Sequence, residues 1–282
     1  MGIQQHFNEH TYPAILWRFP LLIKLIHAWN MLLLQRNWAC QQELKLLLPA
    51  LPPGGLVVDA GCGDGQYIFP YFQKFPRLRF WGFDKNKNNI SFCEKYSGDL
   101  PGGGRLAFLS KKLEELHLDH EADLLLCIGT LQYIAEDGQV LQRFFRALKP
   151  ACNLLVYVPV NGRAALPFYP FFFKKLNHYE KCQSRKRVYS DPEISGKLAA
   201  AGFHILKKKP TYGTLGIAAH ETYSLLLMGM ANAAWWWAWL FPCLLLLLLP
   251  IILIFKQIDY RLPKKSGNGL LILAQKPMDN TE

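Results

Sequence analysis

The run Leu56-Val57-Val58-Asp59, followed by glycines at 61, 63 and 65, constrains this chain more than any other feature. Pro52-Pro53-Gly54-Gly55 bounds it upstream, so the apolar residues read as a short buried strand. The glycines then let the backbone turn tightly and leave no Cβ between the chain and a ligand above it. Leu78 to Phe83, Leu106 to Leu109, Leu124 to Ile128 and Leu154 to Val160 read as further strands. Helical stretches separate them, one from the glycine loop to near Pro76 and another over Gln139 to Leu148, stopped by Lys149-Pro150. Strands alternating with helices predict a parallel sheet covered on both faces. Ser190-x-x-Glu193 is a capping box for a helix from Asp191 to Ala201, closed by Gly202. Residues 14–49 place apolar side chains at helical spacing, with Arg18, Lys24, His27, Arg36 and Lys45 between them.

Glycine spacing narrows the ligand. A dinucleotide loop is G-x-G-x-x-G, with its third glycine one position later than here, where this chain has Gln66. The pattern is instead D-x-G-x-G-x-G, and Asp59 and Asp64 would repel a pyrophosphate. The same carboxylates favour a ligand carrying an ammonium or sulfonium. An NAD-dependent reductase is therefore disfavoured.

Residues 56–65, Leu-Val-Val-Asp-Ala-Gly-Cys-Gly-Asp-Gly, resemble the first motif of class I S-adenosylmethionine-dependent methyltransferases, nearest to the small-molecule branch of ubiquinone and menaquinone methyltransferases. Gly82-Phe83-Asp84 is similar to that family's second strand, Asp123 to Ile134 to its fourth strand and following turn, and Arg146 to Val158 to the approach to and course of its fifth. Gly267 to Pro277 looks like its last strand, so the resemblance covers roughly residues 50–210 and that terminal piece. It implies an α/β, Rossmann-like, seven-stranded, mostly parallel sheet with helices on both faces, plus an N-terminal helix and a hydrophobic helical insert before the last strand. It implies S-adenosyl-L-methionine as cofactor, held by Asp59, Ala60, Gly61, Cys62, Gly63, Gly65, Asp84, Lys85, Cys127 and Gly129, with Asp84 on the ribose hydroxyls. Cys62 and Cys127 then serve as small side chains beside the cofactor, not as nucleophiles. Two stretches depart from the family: Ser110-Lys111-Lys112 stands where an acid often faces the adenine, and Pro150-Ala151-Cys152-Asn153 where Pro-Gly-Gly is usual.

Methyl transfer from a sulfonium needs mainly alignment, and a general base helps when the acceptor is a hydroxyl or amine. By their places in the family's pattern, Tyr133 and His178 are the catalytic candidates, with Tyr179, Glu180, His220 and Glu221 near them. The plainer reading of each is a surface histidine, a surface acid or a half-buried tyrosine. Ile128-Gly129-Thr130 lacks the Asn/Asp-Pro-Pro-aromatic turn of DNA amino-methyltransferases, so no nucleic-acid partner is expected. Seven cysteines without C-x-x-C spacing argue against a structural zinc or a disulfide framework and suit a reducing compartment; no metal site is expected.

The net charge of +11 is unevenly placed. Residues 174–209 carry ten Lys and Arg against three acids, and residues 256–276 five against Asp259. Between these stretches Thr222 to Phe255 holds no charge and includes Trp235-Trp236-Trp237-Ala238-Trp239. Basic flanks around an apolar, Trp-rich stretch suit a membrane surface. Two full crossings would need about 40 apolar residues, more than this segment has. If residues 269–275 pair in the sheet, both ends of the segment lie on one side, so a helical hairpin or bent helix divided at Pro242 is expected, a monotopic anchor on the cytoplasmic face. The domain reading is an N-terminal amphipathic lid or surface helix over 1–50, a catalytic domain over 51–221 and 266–278, and a membrane-inserting segment over 222–255. No secretory signal is read at the N-terminus, and Met1-Gly2 lacks the Ser or Thr that myristoylation wants at position 6, which is His6. The expected activity is methyl transfer to a lipophilic small molecule, an isoprenoid, quinone, polyene or lipid, with membrane lipids as the other partner. The alternative is a non-catalytic membrane-bound scaffold that keeps the fold.

Overall fold

The computed structural model describes residues 20–98, 100–176, 186–232 and 239–278. Seven strands form one sheet: β1 (Leu56–Ala60), β2 (Arg79–Asp84), β3 (Leu106–Ser110), β4 (Ala122–Ile128), β5 (Leu148–Pro159), β6 (His204–Thr211) and β7 (Gly269–Gln275), in the order β3-β2-β1-β4-β5-β7-β6. The first five are parallel; β7 runs antiparallel between β5 and β6. Period-two alternation sorts the core into two layers. Leu56, Val58 and Ala60 face one apolar cluster with Leu125, Cys127 and Phe144, while Val57 joins Leu124, Leu126 and Phe80 on the other face.

The helices are α1 (Pro20–Leu33), α2 (Gln35–Leu47), α3 (Phe69–Phe72), α4 (Lys87–Gly98), α5 (Asp137–Ala147), α6 (Tyr169–Leu176), α7 (Asp191–Ala200), α8 (Thr214–Asn232) and α9 (Leu240–Arg261). The capping box on α7 forms as read, with Ser190 and Glu193 bonded reciprocally, and Gly202 closes the turn at φ +98°. β6 escaped the strand reading: it is an edge strand of sequence HILKKKPT, and its three consecutive lysines leave the apolar alternation nearly absent.

Three other expectations are corrected. The helix read from the glycine loop to Pro76 shrinks to four residues, because the chain first turns through Gly65, whose carbonyl accepts from both Ile68 and Phe69. The helical pattern of 14–49 is broken at Leu34, which is extended (φ −104°, ψ 114°) and starts α2 in a new direction; residues 14–19 lie outside the described residues. Pro242 does not divide the apolar segment: it sits in the first turn of α9, where a missing N–H costs little, and Pro250 lies inside the same helix.

The boundaries at 222 and 255 also fall inside helices, since α8 begins at Thr214 and α9 continues to Arg261. The two helices pack together as a hairpin over α1 through Leu33, Ala219, Tyr223 and Ile252. A polar clamp ties this hairpin to the sheet. Fully buried Gln35 donates to the Lys256 carbonyl (2.8 Å) and to Asp259 Oδ2 (3.1 Å) and accepts from Tyr212 N (2.9 Å). Lys256 donates to the Leu33 carbonyl (2.5 Å). Gln35, Lys256 and Asp259 each have at least one hydrogen-bond partner in the clamp, which offsets part of their desolvation.

Candidate active site

A cavity of about 1360 Å³ opens at the carboxyl ends of β1, β2, β4 and β5, where open α/β sheets place their ligands. At β1 the glycine loop forms its floor. Gly61 has φ +89°, and a Cβ there would stand 2.2 Å from Thr130 Oγ1, so this position admits only glycine. Gly61 N and Cys62 N both donate to the Phe83 carbonyl (2.7 and 3.0 Å), tying the loop to β2. Asp84, the last residue of β2, is held by Gly63 N (2.9 Å) and Asn86 N (2.8 Å), which aims its carboxylate over the loop. Asp64 pairs with His27 of α1 at 3.0 Å, so the N-terminal helix is fastened to the loop.

Of the residues read from the sequence as cofactor ligands, Gly61, Cys62, Gly63, Asp84, Lys85 and Gly129 line the cavity. Asp59, Ala60, Gly65 and Cys127 do not; they stand behind it. Ala60 and Cys127 are fully buried in the sheet, and Gly65 lies under the Phe69 ring, which a Cβ would strike at 2.4 Å. Asp59 is 1% exposed with Oδ2 unpartnered. Burial, with Asp84 and Asp64 adding to it, pushes its carboxyl up to about 8. The Cys127 thiol is raised by burial, and Cys62 by its hydrogen bond with Cys93 and then by burial, so neither is a ready nucleophile. Tyr133 lines the cavity just beyond β4; His178 lies outside the described residues.

The structure adds residues that the linear reading missed. Arg36, in the first turn of α2, reaches over Gly129: its Nη1 is 3.0 Å from where a Gly129 Cβ would be. Its Nε is buried without a hydrogen-bond partner, and among the described residues no acid pairs with it. In the sequence Arg36 is one basic residue among five on an amphipathic stretch, and nothing local distinguishes it. Lys112, Leu113 and Ile134 border the loop side. On the opposite side stand Tyr157, Tyr169, Phe173, Tyr212 and Ile217, from β5, α6, the turn after β6 and α8, together with His220 and Glu221 of α8, which the sequence had already singled out. This half is apolar and aromatic. The Glu221 carboxylate is occupied by the amides of Ala165 and Leu166 (2.7–3.2 Å).

Residues 58–154 match a family model described as a methyltransferase domain. The trans-aconitate 2-methyltransferase of Streptomyces coelicolor is 30% identical over 114 residues, which are 40% of this chain and 37% of that protein. This chain therefore matches well under half the length of that relative. Among solved structures, geranyl diphosphate C-methyltransferase from Streptomyces coelicolor superposes with a TM-score of 0.58 at 13% identity, covering 85% of this chain and 76% of that one. Phosphoethanolamine N-methyltransferase 2 of Haemonchus contortus, in complex with S-adenosyl-L-methionine, superposes with a TM-score of 0.59 at 16% identity, covering 86% and 53%.

Proposed function

Taking a class I methyltransferase domain as its core, we propose that this chain binds S-adenosylmethionine against the glycine loop and methylates a lipophilic small molecule drawn from a membrane surface. The residues present fit that cofactor. Asp84 offers a fixed carboxylate to a vicinal diol, and the unpaired Arg36 offers a bidentate donor to the carboxylate of the amino-acid end. Burial, with Asp84 and Asp64 adding to it, makes Asp59 costly to ionise, and a cationic ligand among the three relieves that cost. Lys112, Leu113 and Ile134 border the place for the adenine, with apolar contact and with Glu114 as the acid on that side.

When bound, S-adenosylmethionine supplies a methyl group on a sulfonium, a leaving group good enough that alignment carries most of the catalysis. The chain's part is to hold the acceptor in line and keep water out. Leu34, Ile217 and Phe173 supply apolar wall, while Tyr157 and Tyr212 are held rigid by Thr211 Oγ1 (2.7 Å) and by the Arg36 amide (3.4 Å).

The observation that carries the lipophilic reading is that the helices walling this half expose apolar side chains on their outer faces. Leu21 and Leu25 of α1, and Phe171 and Phe172 of α6, are 38–68% exposed. Beside them α9 has a mean hydropathy of 2.3 over its most apolar stretch, only 11% of it buried, with Leu246, Leu247, Ile251 and Ile254 outward. Contiguous apolar surface of this kind marks a membrane or partner face. The uncharged part, the sixteen residues Leu240 to Phe255, rises about 24 Å, while the whole 22-residue helix to Arg261 is long and apolar enough to cross a hydrocarbon core of about 30 Å. Because β7 pairs on both sides within the sheet, the chain returns to the domain after α9, which favours a monotopic anchor. The relatives' printed substrates, trans-aconitate and geranyl diphosphate, span a small acid and an isoprenoid; the apolar wall here favours the isoprenoid-like end.

Calorimetric titration of the detergent-solubilised chain with S-adenosylmethionine tests the core of this reading, beside NADH and an Asp84→Ala variant. Micromolar binding lost in the variant is the expected result. A folded sample that binds nothing would overturn the enzyme reading and leave the scaffold.

A further inference from the structure

Among the described residues lining the cavity, the buried side-chain atoms without a hydrogen-bond partner are Arg36 Nε and Gln132 Oε1, both beside Gly129, and His220 Nδ1 on the acceptor side. Tyr157 Oη is bonded to Thr211, and Tyr212 Oη accepts from the Arg36 amide. Both Glu221 oxygens are taken by Ala165 and Leu166, and Asn268 is bonded at both ends of its amide to the backbone of Arg163. His220 also lines the cavity, yet its Nδ1 is buried with no hydrogen-bond partner. A buried unpaired imidazole nitrogen costs free energy until something fills it.

The environment fixes its charge. Burial, with Lys256 and Arg36 adding positive field, lowers His220 to about 3, so it is a neutral imidazole at any working pH. Tyr212 packs edge-on to the ring at 5.3 Å and holds it in place. A neutral imidazole offers one donor and one acceptor, which is the hydrogen-bonding complement of a hydroxyl. An ammonium entering here would meet the same burial that keeps the histidine neutral, with Lys256 and Arg36 adding to its cost.

We propose that His220 binds a hydroxyl group on an otherwise apolar acceptor, which makes this half of the cavity a site for a lipophilic alcohol or phenol and not for an amine. The inference rests on the reading of this cavity as the acceptor site and deepens it by naming the polar group. Ile217, Phe173 and Tyr169 take the apolar body, and His220 meets the hydroxyl.

The test is equilibrium binding, read without turnover. The full detergent-solubilised chain is titrated with 4-octylphenol, octylbenzene, 4-octylbenzylamine and 4-octylbenzoate, with S-adenosylmethionine titrated on the same samples. The expected result is 4-octylphenol binding about tenfold tighter than octylbenzene, the worth of one hydrogen bond, and tighter than the amine or the benzoate. In His220→Leu that gap should close while S-adenosylmethionine affinity holds; in His220→Gln part of it should return. Equal binding of phenol and octylbenzene, a gap that survives in His220→Leu, or preference for the amine or benzoate would overturn the proposal. Should His220→Leu fail to fold, the ranking of the four probes on the unaltered chain decides alone. Absent S-adenosylmethionine binding would instead overturn the methyltransferase reading, so the two failures are separable.

Discussion

Arg36 and Asp59 are a guanidinium and a buried carboxyl above and behind the same loop, and each has a buried side-chain atom without a hydrogen-bond partner in the free chain. Arg36→Leu removes a cation that no acid neutralises, so thermal stability should hold within about 1 kcal/mol while S-adenosylmethionine affinity falls about ten- to a hundredfold. Calorimetry and a melting curve on one sample check both. Asp59 titrates in the folded state near 8, far above its unfolded value of 3.8. A raised carboxyl keeps its proton in the folded state after the unfolded state has lost it, so stability falls as pH rises from about 4 to about 8. Asp59→Asn should flatten that slope in urea melts taken across the range. Cofactor binding near pH 7 should release a proton, seen as a dependence of binding heat on buffer ionisation enthalpy. Gly61→Ala places a methyl on Thr130 at a left-handed backbone position and should cost roughly 2 kcal/mol or more, with loss of cofactor binding.

At the scale of elements, local patterns were readable where one residue type does one job. The α7 capping box and the strands β1 and β4 formed as the sequence proposed, because their signals sit within a few residues. The short α3, the break at Leu34 and the edge strand β6 were not legible, since each answers to a neighbour distant in sequence. Phe69 fills the space under Gly65 against Tyr96 and Phe108, and Lys207 pairs with buried Glu43 of α2. The hairpin has two faces with different fates. Leu247, 71% exposed on α9, should tolerate Leu247→Lys with little change in melting temperature, while flotation with anionic vesicles falls several-fold. Ile252, 2% exposed on the same helix, should unfold the hairpin when changed to Lys. Equal flotation by wild type and Leu247→Lys would show that α9 does not meet the bilayer.

For the whole molecule, the sequence by itself determined the sheet's parallel core, the loop that ends β1, the acid that ends β2 and the presence of an uncharged helical insert before the last strand. Those features are written in hydrophobic period, glycine spacing and composition, all local to the chain. It also singled out Tyr133 as a catalytic candidate, and that residue lines the cavity; of the ten residues assigned to the cofactor six reach it and four stand behind, a difference that spacing alone does not carry. Tertiary structure alone brought Arg36, Tyr157, Tyr212 and His220 to one cavity from α2, β5, the turn after β6 and α8. It also ran the apolar hairpin directly out of the cavity wall, with β7 returning between β5 and β6. A single sequence cannot show that convergence, because unpaired charge, orphaned nitrogen and burial are properties of packing across the chain's full length and not of neighbours along it.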